Sequence, residues 1–444
     1  MMSSAASPCP AAELPELCTP LPGPASRALA QRLAQVESRN VTRLDEPTPI
    51  FWQRASGSNV WDVDGNRFLD LTSAFGVANV GHAHPAVVEA LSRQGQTLLH
   101  AMGDVHPPAI KVELLEALAA RFPGGEPARA VLGSSGSDAV ESALKTAQLA
   151  TGSSGVLAFE GAYHGLALGA LDATARDDFR QPFAARLPGA TVFARFGDHA
   201  DAAKQVARAA ESGQPLGAII VEPIQGRAGE RVPPGGFLTA LRQLCDENGL
   251  LLIADEIYTG FGRTGRWFAC EHEGVVPDLL CVGKGLASGM PISACVGRRE
   301  IMDAWPKSKG EALHTQTFLG HPAGCAAALA SMAAIEREGL VERARSLGET
   351  ALKKLQERLG PCPAVSEVRG LGLMIGIEFN RTEDAARAAD QSLQGGVIVL
   401  PAGPDGRVLS ITPPLSMDAA ALDHALNVVA LACDGAAGAD EARP

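Results

Sequence analysis

Positive charge is in short supply in this 444-residue chain. Its 38 Lys and Arg face 50 Asp and Glu, a formal net charge of −12. That balance argues against non-specific attachment to nucleic acid or anionic membranes, so neither is expected as a partner. Long apolar runs are also missing. No stretch approaches the roughly 20 apolar residues that a membrane span needs. The opening residues 1–25 contain Glu13 and Glu16 and lack a basic start leading into an apolar run. They read as a disordered tail rather than a secretory leader. None of the nine cysteines stands in a Cys-x-x-Cys pair, and the count is odd. Cys281 and Cys295 lie in apolar runs and read as small core residues. A reducing, cytoplasmic setting fits this usage. A chain this long buries enough core to need neither a disulfide nor a metal staple. No internal repeat is visible.

What is present is the balance of an ordinary globular protein, 46% hydrophobic and 20% charged. Residues 25–40 read as a helix. Phe51–Leu71 reads as two short strands around Asp64-Gly65, a hairpin signal. From about residue 86 the chain alternates helical patterns with apolar runs of four or five residues: Ala128–Leu132, Val156–Phe159, Ala218–Val221, Leu250–Ala254 and Leu279–Val282. Continuous rather than alternating apolar strands indicate a mostly parallel α/β sheet covered on both faces. After about residue 325 come long helical patterns, then short strands expected at 371–379, 397–400 and 408–411 and a last helix at 418–432. The expected division is a tail (1–25), a large domain (86–325), a smaller α+β domain built from 26–85 and 326–434, and a second disordered tail (435–444).

In open α/β sheets, ligands sit beyond the carboxyl ends of the strands. Gly133-Ser134-Ser135-Gly136-Ser137 follows the first strand of this series and opens a helix. Small residues and a helix N-terminus make a phosphate seat, although a plain serine cap has the same look. Gly161-Ala162-Tyr163-His164-Gly165 follows the next strand. Tyr163 is one of only two tyrosines, placed to stack on a flat ligand or simply to pack a loop. The strand Leu250–Ala254 continues into Asp255-Glu256. A carboxylate there is costly without a partner. Leu279–Val282 ends in Gly283-Lys284-Gly285, and a desolvated lysine becomes a nucleophilic amine that forms Schiff bases. It is not a P-loop lysine, because Asp278 stands where a glycine is needed and no Ser or Thr follows. Phosphate seat, stacking aromatic, strand-end acid and strand-end lysine are together what pyridoxal 5'-phosphate chemistry needs, the acid keeping the pyridine nitrogen protonated.

The motifs VWDVDGNRFLDL, GHAHP, SSGSDAVESALK, AYHG, VEPIQG, LLIADEIYTGFGRTG, PDLLCVGKGL, HTQTFLGHP, VRGLGLMIGIEF and TPPL span about Val60 to Leu415. With them the chain resembles the class III, or ω-amino-acid, aminotransferases of fold type I. The resemblance implies a homodimer that transfers an amino group from an amino acid or amine to a 2-oxo acid, ping-pong, through pyridoxamine phosphate. It implies Lys284 as the Schiff-base lysine, Asp255 on the pyridine nitrogen, and Tyr163 and Ile257 on opposite ring faces. Gly136 and Ser137 would hold the phosphate, with Thr317 reaching the phosphate of the neighbouring subunit. Ser135, His164, Glu222 and Tyr258 complete the implied cofactor contacts, Tyr258 through a phenol near the cofactor hydroxyl.

Four positions depart from the acetylornithine and ornithine branch of that family. Leu166 and Ser410 stand where that branch has arginines, Tyr258 where it has glutamine, and Arg227 where it has glutamate. We therefore expect Arg227 to bind the acceptor's carboxylate, with the donor in an apolar pocket beside Leu166. An amino-acid racemase or aminomutase would need the same cofactor residues, so it stands as the alternative. A dinucleotide dehydrogenase does not fit, because Gly370-x-Gly372 precedes a strand rather than a helix.

Overall fold

The computed structural model describes residues 9–44 and 49–437. In chain order its strands are β1 (Trp52–Ser56), β2 (Asn59–Asp62), β3 (Arg67–Asp70), β4 (Ala128–Gly133), β5 (Gly155–Phe159), β6 (Thr191–Ala194), β7 (Leu216–Val221), β8 (Leu251–Asp255), β9 (Leu279–Val282), β10 (Ser293–Arg298), β11 (Val365–Leu371), β12 (Met374–Phe379), β13 (Val397–Ile398), β14 (Leu400–Ala402) and β15 (Val408–Ile411). They form three sheets. The largest runs β4-β10-β9-β8-β7-β5-β6, flanked by four-stranded sheets β1-β2-β3-β13 and β11-β12-β15-β14.

Strands β5 to β9 of the seven-stranded sheet pair in parallel. Every residue of β7, β8 and β9 is buried, as uninterrupted apolar runs require when helices cover both faces. The fold is α/β with a mostly parallel central sheet. The exception is β10, antiparallel to both β4 and β9. It follows β9 after a loop with no crossover helix, and a parallel return needs such a crossover.

Several elements differ from the sequence-based expectation. Phe51–Leu71 holds three strands, because a second reversal at Gly57, φ +58°, precedes the turn at Gly65. The strand expected at 371–379 is a hairpin, β11 and β12, turning at Gly372, φ +58°. The four-residue β6 lies at the sheet edge, only partly buried, and lacks the apolar density that marks its neighbours.

The described part of the expected N-terminal tail is not disordered. Glu16 and Arg67 exchange both backbone hydrogen bonds, at 3.0 and 2.8 Å, and the Asn66 amide oxygen accepts from Cys18 and Thr19 N–H. The reason is the sheet. Backbone donors and acceptors left free at Arg67 recruit the passing chain. Residues 1–8 lie outside the described residues. At the other end, the last helix runs Ala419–Ala437 into the expected tail, whose residues 438–444 also lie outside. Among the described residues, no helix is long and apolar enough to cross a membrane.

Candidate active site

Parallel pairing of β8 with β9 sets Asp255 opposite Cys281, so Asp255 and the Gly283-Lys284 turn leave the sheet at the same edge. Asp255 is buried. Its Oδ2 lies 2.7 Å from His164 Nδ1, and its Oδ1 accepts from Ile257 N–H at 3.1 Å. Burial works against a charged His164, yet the hydrogen bond and charge of Asp255 outweigh it and raise the imidazole's pKa. This buried pair explains why a bare carboxylate can end an apolar strand. A carboxylate has about four lone-pair sites, so Asp255 keeps capacity for a further donor.

Lys284 projects into the same cavity, its Nζ 4.7 Å from the centre of the Tyr258 ring. Burial lowers its pKa against the opposing pull of Asp255 and Glu222, and Arg227 lowers it further. More of the amine is therefore the uncharged nucleophile at neutral pH. Glu222 is buried beside it, accepting from the N–H groups of Tyr163 and Gly226, and burial pushes its carboxyl up to about 7.

The helix Gly136–Thr151 begins at the cavity's other end. Ser135 is its cap. The Ser135 hydroxyl accepts from Asp138 N–H, and Asp138 Oδ2 in turn accepts from Ser134 and Ser135 N–H. Ser135 thus caps the helix, and its backbone N–H is taken by Asp138 rather than left for an anion. Among the described residues the N–H groups of Gly136 and Ser137 have no acceptor, as expected of a first helical turn, and face an anion seat. Two glycines hold this corner open. A Cβ on Gly136 would come 3.1 Å from Ile257 Cδ1, and one on Gly165, φ +129°, would fall 2.1 Å from Ser137 Oγ. Tyr163, His164 and Ile257 line the same cavity of about 230 Å³.

Two expectations fail here. Tyr258 does line the cavity, but its ring is clamped between Gly76 and Gly226, where added Cβ atoms would lie 2.2 and 2.1 Å from ring carbons. Its hydroxyl meets Thr412 Oγ1 at 3.2 Å, so the ring is a floor under Lys284 rather than a phenol donor to a cofactor. Leu166 is half exposed and lines neither site cavity. Its backbone N–H bonds Ser137 Oγ, which turns its side chain outward. Thr317 also stands outside these cavities, exposed, while adjacent Gln316 bonds the Ser134 hydroxyl.

A second cavity of about 390 Å³ adjoins the first and shares Tyr163, Arg227, Tyr258 and Lys284 with it. Arg227 lies on the surface side, its guanidinium 5.1 Å from the Tyr163 ring centre. Among the lining residues that sequence reasoning missed are Arg176, Phe75 and Glu230. Arg176, in an irregular loop, carries no motif. Phe75 sits on a left-handed turn, φ +65°, that local pattern does not announce. Glu230 reads as an ordinary loop acid.

These features suit one cofactor. The free helix N–H groups match a phosphate, Tyr163 and Ile257 a flat ring, Asp255 a ring N–H, and the Lys284 amine an aldehyde. Fold and site together define a pyridoxal-phosphate enzyme of fold type I. The family model "Aminotransferase class-III" matches residues 41–432, and the chain belongs to that family. It is 39% identical over 442 residues to a 4-aminobutyrate aminotransferase of Mycobacterium tuberculosis, covering 93% of this chain and 96% of the relative. It is 40% identical over 386 residues to a putrescine aminotransferase of Pectobacterium atrosepticum, covering 85% and 81%. A PLP-bound amine transaminase structure from an uncultivated Pseudomonas species superposes with a TM-score of 0.83 at 29% identity, over 91% of this chain and 99% of that one. The chain is an aminotransferase, and its cofactor is pyridoxal 5'-phosphate.

Asp255→Ala removes the buried acid and orphans His164. A charge-assisted bond in a dry site is worth a few kcal/mol, so turnover should fall about 10²- to 10³-fold while the phosphate seat survives. Steady-state kinetics on the cofactor-loaded variant checks this. A rate within tenfold of wild type would mean that Asp255 does not serve the ring nitrogen.

Proposed function

We propose that this chain transfers an amino group to a 2-oxo acid whose carboxylate is held by Arg227, with Lys284 as the catalytic amine. The observation that carries this reading is the shared wall of the two cavities, where Lys284 and Arg227 border both. When bound, the cofactor supplies an electron-accepting ring. Asp255, supported by His164, holds the proton on the ring nitrogen. Gly136 and Ser137 N–H groups bind its phosphate, and Tyr163 and Ile257 keep the ring flat in its slot. Lys284, eased toward its neutral form by burial, would hold the cofactor through its amine and carry protons at the reacting carbon. Arg227 brings a cation within reach of that carbon, beside the Tyr163 face, and Arg176 adds a second positive charge at the mouth. Among the described residues Arg227 has no carboxylate partner, so its charge is available to substrate. The racemase and aminomutase alternative has no observation in its favour.

A homodimer belongs to this reading, as does a cytoplasmic location, which the free state of all nine cysteines supports. Leu99, Val105, Leu313 and Phe318 are each at least 59% exposed. Their two segments meet where His100 lies 5.4 Å from Phe318 and 6.0 Å from His321, ring to ring. A contiguous exposed apolar surface is what an interface between copies covers. Thr317 lies within this surface, next to the segment that reaches Ser134, which suits a role at the partner's phosphate.

Two measurements follow. Arg227→Ala should raise KM for the 2-oxo acid at least tenfold, roughly the 1.4 kcal/mol of part of one charge-assisted pair, with a smaller effect on kcat. An unchanged KM across several acceptors would remove Arg227 from the site. Sedimentation velocity at assay concentration should show a dimer, and fully active monomers would contradict the shared-site reading.

A further inference from the structure

The second cavity contains a single acid among its lining residues. Glu230 is fully buried in its wall and sits three residues from Arg227 on the loop after β7. Ser410 Oγ donates to Glu230 Oε1 at 2.5 Å, while Oε2 is buried with no hydrogen-bond partner among the described residues. The cation whose charge bears on this carboxyl is Arg369, and it is otherwise engaged. Arg369 on β11 bonds Glu367, Glu378 and the Gly229 carbonyl rather than Glu230. Glu222 after β7 and Tyr258 after β8 also face this carboxyl, and neither is a cation.

The backbone shows that the placement is built. Glu230 has φ +50°, a conformation costly for a residue with a side chain. Two hydrogen bonds from Arg369 to the Gly229 carbonyl, and one from Gly403 N–H to the Arg227 carbonyl, hold the loop in this shape. Gly376 on β12 leaves room for the acid, since a Cβ there would lie 3.2 Å from Glu230 Oε2. An unpaired buried carboxyl lowers stability, so a structure that strains its backbone to keep one is consistent with a group completed by a ligand. The lining pairs this acid with Phe75, Leu400 and Pro401, the apolar walls that a methylene chain fills.

We propose that Glu230, with Ser410, is the specificity group for the donor, reading a second, distal ammonium on diamines or basic amino acids. This rests on the transamination reading above and names the donor class of the same site. Arg227 and Glu230 then divide one cavity between two substrates that occupy it in turn: the acceptor's carboxylate at the arginine, the donor's distal cation at the acid. Burial, only partly offset by the Ser410 bond and by Arg369, raises the Glu230 carboxyl to about 8, so below that pH the group is mostly neutral. The preference for a dication should therefore strengthen as pH rises through this ionisation, since kcat/KM reports the free enzyme.

The test compares 1,5-diaminopentane with pentylamine as donors to one 2-oxo acid, in wild type and Glu230→Gln, from pH 6 to 9. Glutamine preserves size and can still accept from Ser410. Wild type should favour the diamine in kcat/KM, and the variant should lose at least about tenfold of that preference, mostly through KM, which a charge-assisted contact supplies. The wild-type preference, divided by that of the variant, should climb with pH. A merely structural Glu230 would lower both donors alike and leave the ratio flat. Wild type that favours pentylamine at every pH overturns the proposal without any variant. Turnover of neither donor, with any acceptor, while another amine or amino acid is transaminated, overturns this proposal and leaves the transamination reading standing.

Discussion

The site depends on a carboxylate seated inside the protein against a buried histidine. Asp255 ends a strand whose every residue is buried, and an isolated charge there would cost far more than a fold can bear. His164, 2.7 Å away and itself buried, makes the position tolerable. Because β8 and β9 run parallel in register, the same sheet edge that presents Asp255 presents Lys284. One electrostatic pair and one strand register thus fix the relation between the Asp255 carboxylate and the Lys284 amine. The helix Gly136–Thr151 adds its N–H groups from the neighbouring corner, and Gly165 and Gly136 keep that corner free of side chains.

Such a site is maintained against local cost. Glu222 and Glu230 are buried acids that burial shifts up to about 7 and 8, close to neutrality, and Lys284 is shifted downward by the same cause. Titratable groups pushed toward neutral pH concentrate where protons and charges move, and their grouping around two joined cavities marks the chemistry independently of any motif. The αL backbone at Phe75 and Glu230 belongs to the same pattern, strain gathered where the two cavities need walls.

Much of this was legible in the sequence because it follows from strand ends. Apolar runs that stop at Asp255, at Gly283-Lys284 and at the Gly133–Ser137 loop announced a parallel sheet and its working edge, since period and continuity of apolar residues are local properties. What was not legible depends on distant contacts. The Tyr258 phenol is directed to Thr412 by two glycines, Gly76 and Gly226, that lie far apart in the chain. Leu166 turns outward because of a bond to Ser137. Asp138 claims the Ser135 N–H, a cap that the run of small residues does not announce. Glu230 gave no signal, because its burial comes from β12 and β15, more than a hundred residues later. Residues 9–23 failed for a related reason. Their composition reads as unstructured, and distant partners give them a place: the free backbone of Arg67 and the side chains of Asn59, Asn66 and Asp418.

The central claim is that Lys284 is the amine that holds the cofactor. It is tested most directly by reducing the yellow, cofactor-loaded protein with borohydride and locating the pyridoxyl group by peptide mass spectrometry. The account predicts a single modified peptide with the label on Lys284. A label on any other lysine, or a holoenzyme that borohydride leaves unmodified, would contradict it.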